Sequence, residues 1–223
     1  TEANAIAERQ MHLTWLAPSR DETTTGSVLQ EEEPDIWAGS ADAPAPDAEA
    51  PTSIQGGRER GLILHKLMEE VLTGECYEAG ESLTARAADL IRALGKELSS
   101  DPANGLSPEE LADCVTRTLA LSEVAALRPS LLGEFPVYAL QQEDAELVAT
   151  VGVADALTID PEGRPAVVID WKSDVNPAQE TLDHYRAQVC AYLDMTGAER
   201  GLIVLMSSGT VITVPPSPQT IAA

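Results

Sequence analysis

The chain has 223 residues, 43% of them hydrophobic, with 37 acidic against 14 basic side chains and a net charge of −23. That length buries the core of one domain with appendages, and no apolar run approaches the roughly 18 residues that a membrane span needs. The charge argues against a free-standing nucleic-acid binder, which normally shows a basic footprint. Either nucleic acid is delivered by other parts of a larger machine, or the substrate is something else. Three distant cysteines, Cys76, Cys114 and Cys190, match no zinc or iron–sulfur spacing and read as reduced residues of a cytoplasmic protein. With Thr1 first and no signal-peptide pattern, the chain reads as a piece of a longer intracellular polypeptide.

Residues 4–17 have loose helical spacing, with Ile6, Met11, Leu13 and Leu16 apolar. From Pro18 to about Gly57 the sequence turns acidic and rich in Pro and Ala, which predicts a partly disordered linker with little to bury. Residues 1–56 are therefore read as an N-terminal helix and linker, and 57–223 as the folded domain. Leu64, Leu67, Met68 and Val71 follow i, i+3, i+4, i+7 spacing and predict an amphipathic helix ending near Gly74. A second helix is expected over 82–99, opened by Ser82. A third opens at Ser107-Pro108-Glu109-Glu110, with Ser as N-cap and Glu110 completing a capping box, and runs to about Leu127. Strand-like runs follow at 132–140, 146–159 and 165–172, then a helix over 178–195 and strands at 201–206 and 210–214. That order predicts an α/β domain with a mixed sheet.

The chemistry concentrates on the second and third strands. The run Val167-Val168-Ile169-Asp170-Trp171-Lys172 puts Asp170 and Lys172 on one face and Trp171 on the other. Asp160-Pro161-Glu162-Gly163-Arg164 supplies the turn of a hairpin. A turn centred between Glu162 and Gly163 brings Asp155 opposite Asp170, with Cβ atoms roughly 4.5–5.5 Å apart. Two carboxylates that close on a half-buried sheet repel unless a cation lies between them. Oxygen ligands of this kind suit Mg²⁺ or Mn²⁺, and Lys172 is placed to orient or deprotonate a water, or to offset charge in a pentacovalent transition state.

Each residue also has a plainer reading. Asp155 can pair with Arg164 or Lys172, Asp170 can cap the next loop, and Lys172 can snorkel at the surface. His65, at the edge of its helix stripe, is either a satisfied core histidine or a metal ligand reaching the carboxylates. Gln188 and Tyr192 share a helix face, and Tyr192 also continues a packing stripe with Leu182, Tyr185 and Val189. Glu134 is either a surface strand acid or part of the site, while His12 and His184 read as structural.

The chain resembles RecB-like nucleases of the PD-(D/E)XK superfamily, and in particular the C-terminal nuclease domain of AddA-type (UvrD/Rep-like) helicase–nuclease subunits. The likeness rests on Arg60-Gly61 through His65, Glu134-Phe135-Pro136-Val137, Gly152-Val153-Ala154-Asp155, Ile169-Asp170-Trp171-Lys172-Ser173-Asp174, and Gln188 with Tyr192. The resemblance implies a restriction-endonuclease-like fold, a central mixed β-sheet flanked by helices. It also implies that His65, Asp155, Asp170 and the Trp171 backbone carbonyl hold Mg²⁺ or Mn²⁺. Lys172 would be the catalytic lysine, with Glu134, Gln188 and Tyr192 supporting the site or contacting DNA. The implied activity is exonucleolytic hydrolysis of single-stranded DNA or DNA ends during double-strand-break processing for recombinational repair. Its partners would be helicase domains of the same polypeptide and a second nuclease subunit. Relatives with an iron–sulfur cluster carry a cysteine trio near the C-terminus. Here Cys190 is alone in that region, so no cluster is expected. A catalytically silent scaffold or DNA-end-binding module is the alternative.

Overall fold

The computed structural model describes residues 12–16, 54–143 and 146–217, with the side chains of 12–16 and 141–148 outside the description. Six strands form one mixed sheet. They are β1 (His12–Leu16), β2 (Leu131–Glu143), β3 (Glu146–Ile159), β4 (Pro165–Lys172), β5 (Arg200–Leu205) and β6 (Thr210–Val214). The helices are α1 (Arg58–Thr73), α2 (Gly80–Ala93), α3 (Pro108–Leu119), α4 (Ser122–Leu127) and α5 (Gln179–Thr196), with a 3-10 turn at Arg128–Ser130. No helix among the described residues is long and apolar enough to cross a membrane.

Alternation along β4 builds the two layers. Val167, Ile169 and Trp171 point into a core shared with Ile63, Leu64, Leu67 and Met68 of α1 and with α2, α3 and α4. Val168 points the other way, into a second core with Leu157, Ile203, Leu205 and Val189, Tyr192 and Leu193 of α5. A parallel pairing of β4 with β5 needs a crossover, and α5 supplies it. The helix lies very close to the sheet at Gly201, where a Cβ would come within 2.1 Å of Val189 Cγ1.

The longest strand, β3, organises the site. One edge pairs with β2 along its length; the other pairs with β1 over 146–150 and with β4 only over 156–159. Residues 151–155 of β3 therefore have no strand beside them on that edge among the described residues. The expected hairpin register is found, from Ala156↔Ile169 to Thr158↔Val167, with a bulge at Thr158/Ile159 next to the turn. Asp155 and Asp170 occupy the next position, where the two strands part.

Several boundaries differ from expectation. Residues 12–16 are a parallel strand and not part of a helix; Leu13, Thr14 and Trp15 also alternate, a period of two that the helical spacing masked. The other residues of the expected N-terminal helix and most of the linker lie outside the described residues. Helix α2 opens at Gly80 and ends at Ala93 instead of running to 99. The third expected helix breaks at Ala120–Leu121 into α3 and α4. Ser107 Oγ does accept from the Glu110 amide, yet the Glu110 carboxylate turns to Arg60, so the side-chain half of the capping box is diverted.

Candidate metal-dependent active site

The divergence of β3 and β4 leaves strand-end amides without ladder partners, and Asp155 answers one of them. Its Oδ2 accepts from the Trp171 amide at 2.7 Å, bridging the gap between the strands with a side chain. Its Oδ1 lies 3.5 Å from His65 Nδ1, so the helix α1 reaches the same carboxylate from the opposite side. The Arg164 alternative is overturned: that guanidinium is held by Asp160 at 2.8 Å within the turn.

Asp170 and Lys172 project together beside α5. Lys172 Nζ stands 3.0 Å from Asp170 Oδ2 and donates to Gln188 Oε1 at 3.0 Å. The ammonium and Asp170 Oδ2 form a buried ion pair, the oxygen having no other hydrogen-bond partner. A desolvated carboxylate oxygen with the Lys172 ammonium as its close partner is expensive to bury. Asp170 and Lys172 are nearly enclosed, whereas His65 and Asp155 keep 25% and 19% of their side-chain surface exposed. The site therefore opens to solvent at its His65–Asp155 end.

Glu134 completes a row. Gly133↔Ala156 and Phe135↔Ala154 flank it, which places Glu134 across β3 from Asp155, as Asp170 lies on the other side. Three acids thus cross three adjacent strands at one level. Glu134 has φ +48°, a conformation rare for residues other than glycine. It reverses the strand's faces: Leu131 belongs to the core under α1, Phe135 and Val137 to the core under α5.

Electrostatics follow from this crowding. Burial, reinforced by the nearby Asp155 carboxylate and only partly offset by Lys172, pushes Asp170 up to about 6. Asp155 is also penalised by burial, but His65, Lys172 and the Trp171 amide together hold it below the usual carboxylate value. Burial disfavours charged His65, yet Asp155 beside it raises the imidazole above its ordinary value. Lys172 is raised as well, desolvation being outweighed by Asp170 and Asp155. Desolvation, Asp155 and Glu69 push Glu134 up to about 6. Its side chain remains solvent-exposed, so screening blunts that shift.

Of the two α5 residues singled out from sequence, Gln188 touches Lys172. Tyr192, only 3% exposed, donates from its hydroxyl to the Val153 carbonyl at 2.9 Å and braces the strand that carries Asp155. The Trp171 indole is buried under α1. His184 is exposed on α5, away from the acids, and the His12 side chain lies outside the described residues. Sequence reasoning named Arg60 only as part of the resemblance and gave it no role; it is a buried guanidinium that ties α1 to the end of β4. It donates to the Ser173 carbonyl at 2.8 Å, to Ser207 Oγ at 2.9 Å and, in a fork, to both Glu110 oxygens. An arginine so near a helix start looks like a surface residue in sequence; only partners 50 to 147 residues away reveal it.

The sequence profile of the PD-(D/E)XK nuclease superfamily matches residues 41–209, most of the chain and all of this site. The chain belongs to the PD-(D/E)XK nuclease superfamily. Members of this superfamily are usually nucleases and typically use divalent metals. A search of curated proteins returns no match. A solved structure described as "Crystal structure of SSO0001" is 17% identical, covering 72% of this chain and 79% of its own, with a TM-score of 0.37.

The residues present suit the superfamily's metal chemistry. Among the described residues no group of three or more His, Cys, Asp and Glu side chains is drawn together closely enough to hold a metal ion. A hard cation of the Mg²⁺ type does not require one, since it keeps several waters and takes one or two carboxylates. Asp155 and Asp170 could supply those carboxylates, and the buried Asp170 Oδ2, with the Lys172 ammonium 3.0 Å away, is an acceptor such an ion would satisfy. His65, beside Asp155 at the open end, could add a nitrogen ligand.

Proposed function

We propose that this chain is a divalent-metal-dependent DNA nuclease of the RecB/AddA type, cleaving single strands or DNA ends as the exonuclease part of a helicase–nuclease that processes double-strand breaks. The observation that carries the reading is the grouping of Asp155, Asp170 and Lys172 where β3 and β4 part, with His65 reaching in from α1. Asp155, Asp170, His65 and the Trp171 carbonyl would hold Mg²⁺ or Mn²⁺. When bound, the cation supplies Lewis acidity toward phosphate and water.

The remaining steps belong to the protein. In the metal-free protein the two acids beside it raise the Lys172 pKa, so the resting lysine is an ammonium. Its ammonium orients the attacking water toward the phosphorus and offsets the charge that grows on the phosphoryl oxygens. Gln188 fixes the direction of that ammonium, and Tyr192 fixes the strand under Asp155. Glu134, in line with both aspartates, adds a third carboxylate at the substrate side. Delivery of the strand by helicase domains of the same polypeptide, assisted by a second nuclease subunit, accounts for a nuclease with a net charge of −23. That same charge favours the alternative, a silent nuclease-fold module that contacts DNA ends without cutting.

The test is cleavage of single-stranded and duplex-ended DNA at low salt with Mg²⁺ or Mn²⁺, beside EDTA and Lys172→Ala controls. Metal-dependent cutting that disappears in the variant supports the nuclease and its site. Metal binding without cutting, with or without a helicase partner, supports the silent module, and cutting by Lys172→Ala at the wild-type rate removes the lysine from the mechanism.

A further inference from the structure

The ammonium of Lys172 has a third neighbour. Tyr185, one turn before Gln188 on α5, presents its ring face 4.5 Å from Nζ, measured to the ring centroid. The phenol donates to Asp174 Oδ2 at 2.6 Å, two residues beyond Lys172. Burial and the Asp174 carboxylate both raise the phenol's pKa, so it stays protonated and keeps the proton it donates to Asp174. A phenol donating to a carboxylate gains electron density in its ring, which strengthens the attraction of the ring face for a cation. Positions 185, 188 and 192 follow i, i+3, i+7 spacing, and one face of α5 therefore carries the ring, the amide and the hydroxyl that line this end of the sheet.

We propose that Tyr185, braced by Asp174, is a positioning residue for Lys172, a cation–π wall that keeps the ammonium directed into the cleft. The inference rests on the nuclease reading. Lys172 has one strong ionic partner, Asp170, which is also a proposed metal ligand. Once Asp170 turns its charge to a cation, the lysine needs restraint that does not compete for that carboxylate. Gln188 gives one hydrogen bond and the Tyr185 ring gives a surface. A lysine released from both has a flexible four-carbon stem with which to leave the site.

The test combines a metal-free spectroscopic measurement with kinetics. In EDTA, the Lys172 Hε resonances should be displaced upfield by the Tyr185 ring current, retained in Tyr185→Phe and lost in Tyr185→Leu. In cleavage assays Tyr185→Leu should lower kcat about ten- to thirty-fold with KM little changed, the range expected for a desolvated cation–π contact. Tyr185→Phe, which keeps the ring and loses the Asp174 bond, should recover most of that loss. An unshifted Lys172 resonance in the wild-type protein, or equal losses in the two variants, would overturn the proposal. A wild-type protein with the ring-current shift and no cleavage would instead sink the nuclease reading and leave the contact standing.

Discussion

At the scale of single residues, the site is poised between protonation and metal. Asp170 ionises only near pH 6, and His65 holds its proton above its ordinary value of 6.5. A cation needs both without protons. Affinity for Mn²⁺ should therefore rise from pH 5 to pH 7.5, by up to about tenfold per unit for each proton displaced. Metal-free stability runs the opposite way. With its raised pKa, folded Asp170 takes up a proton more readily than the unfolded chain between about pH 4 and 6, so its ionisation costs stability as pH climbs through that window. The stabilisation from His65 is full below pH 6.5 and is lost as pH rises through its folded value. The depressed Asp155 acts only below about pH 4, outside this range. Titration calorimetry with Mn²⁺, paired with melting in EDTA at pH 5, 6 and 7.5, should show the two trends crossing. If Asp170→Asn binds Mn²⁺ with the wild-type affinity and pH profile, Asp170 is not a ligand.

At the scale of elements, the aspartates are only as well placed as the helices that frame them. Gly201 lets α5 lie close on β5, and a methyl there collides with Val189. Gly201→Ala should cost about 1–3 kcal/mol in urea denaturation by overpacking. It should also lower kcat, because lifting α5 moves Gln188 away from Lys172; a destabilised but fully active variant would show that α5 does not set the lysine. Arg60→Ala leaves the Glu110 carboxylate without its fork and the Ser173 carbonyl with Ser207 Oγ as its remaining side-chain donor, at a cost of about 3–5 kcal/mol. A urea midpoint within error of the wild type would count against the clamp. The hairpin register was readable from sequence because Pro161 and Gly163 fix the turn and a period of two carries the pairing outward to Asp155 and Asp170. Helix α1 was readable from its apolar spacing. The reach of Arg60 was not, since nothing local tells a buried arginine from an exposed one. Nor was the Tyr185 ring, whose stripe with Leu182 and Val189 reads as packing until Lys172 is placed beside it. The parallel pairing of β1 with β3 links residues more than 130 apart in sequence, beyond any periodicity.

At the scale of the whole molecule, net charge and proposed substrate have the same sign. A chain of charge −23 repels a phosphate backbone at long range, while Lys172 and a cation held by the acids would attract it locally. Ordinary DNA-binding proteins neutralise several phosphates with basic side chains and lose about 10³–10⁵ in affinity between 50 and 200 mM salt. Here the first effect of added monovalent salt is to screen repulsion over a Debye length of about 10 Å at 0.1 M. With divalent ion fixed at saturation, the KM for a single-stranded oligonucleotide should stay flat or fall as KCl rises from 20 to 150 mM. A steep rise in KM would reveal a basic track on this chain and would remove the reason for a helicase to deliver the strand. Joined to a motor that contacts the phosphates itself, the same nuclease should acquire the steep salt dependence it lacks alone, because the basic contacts would then belong to its partner.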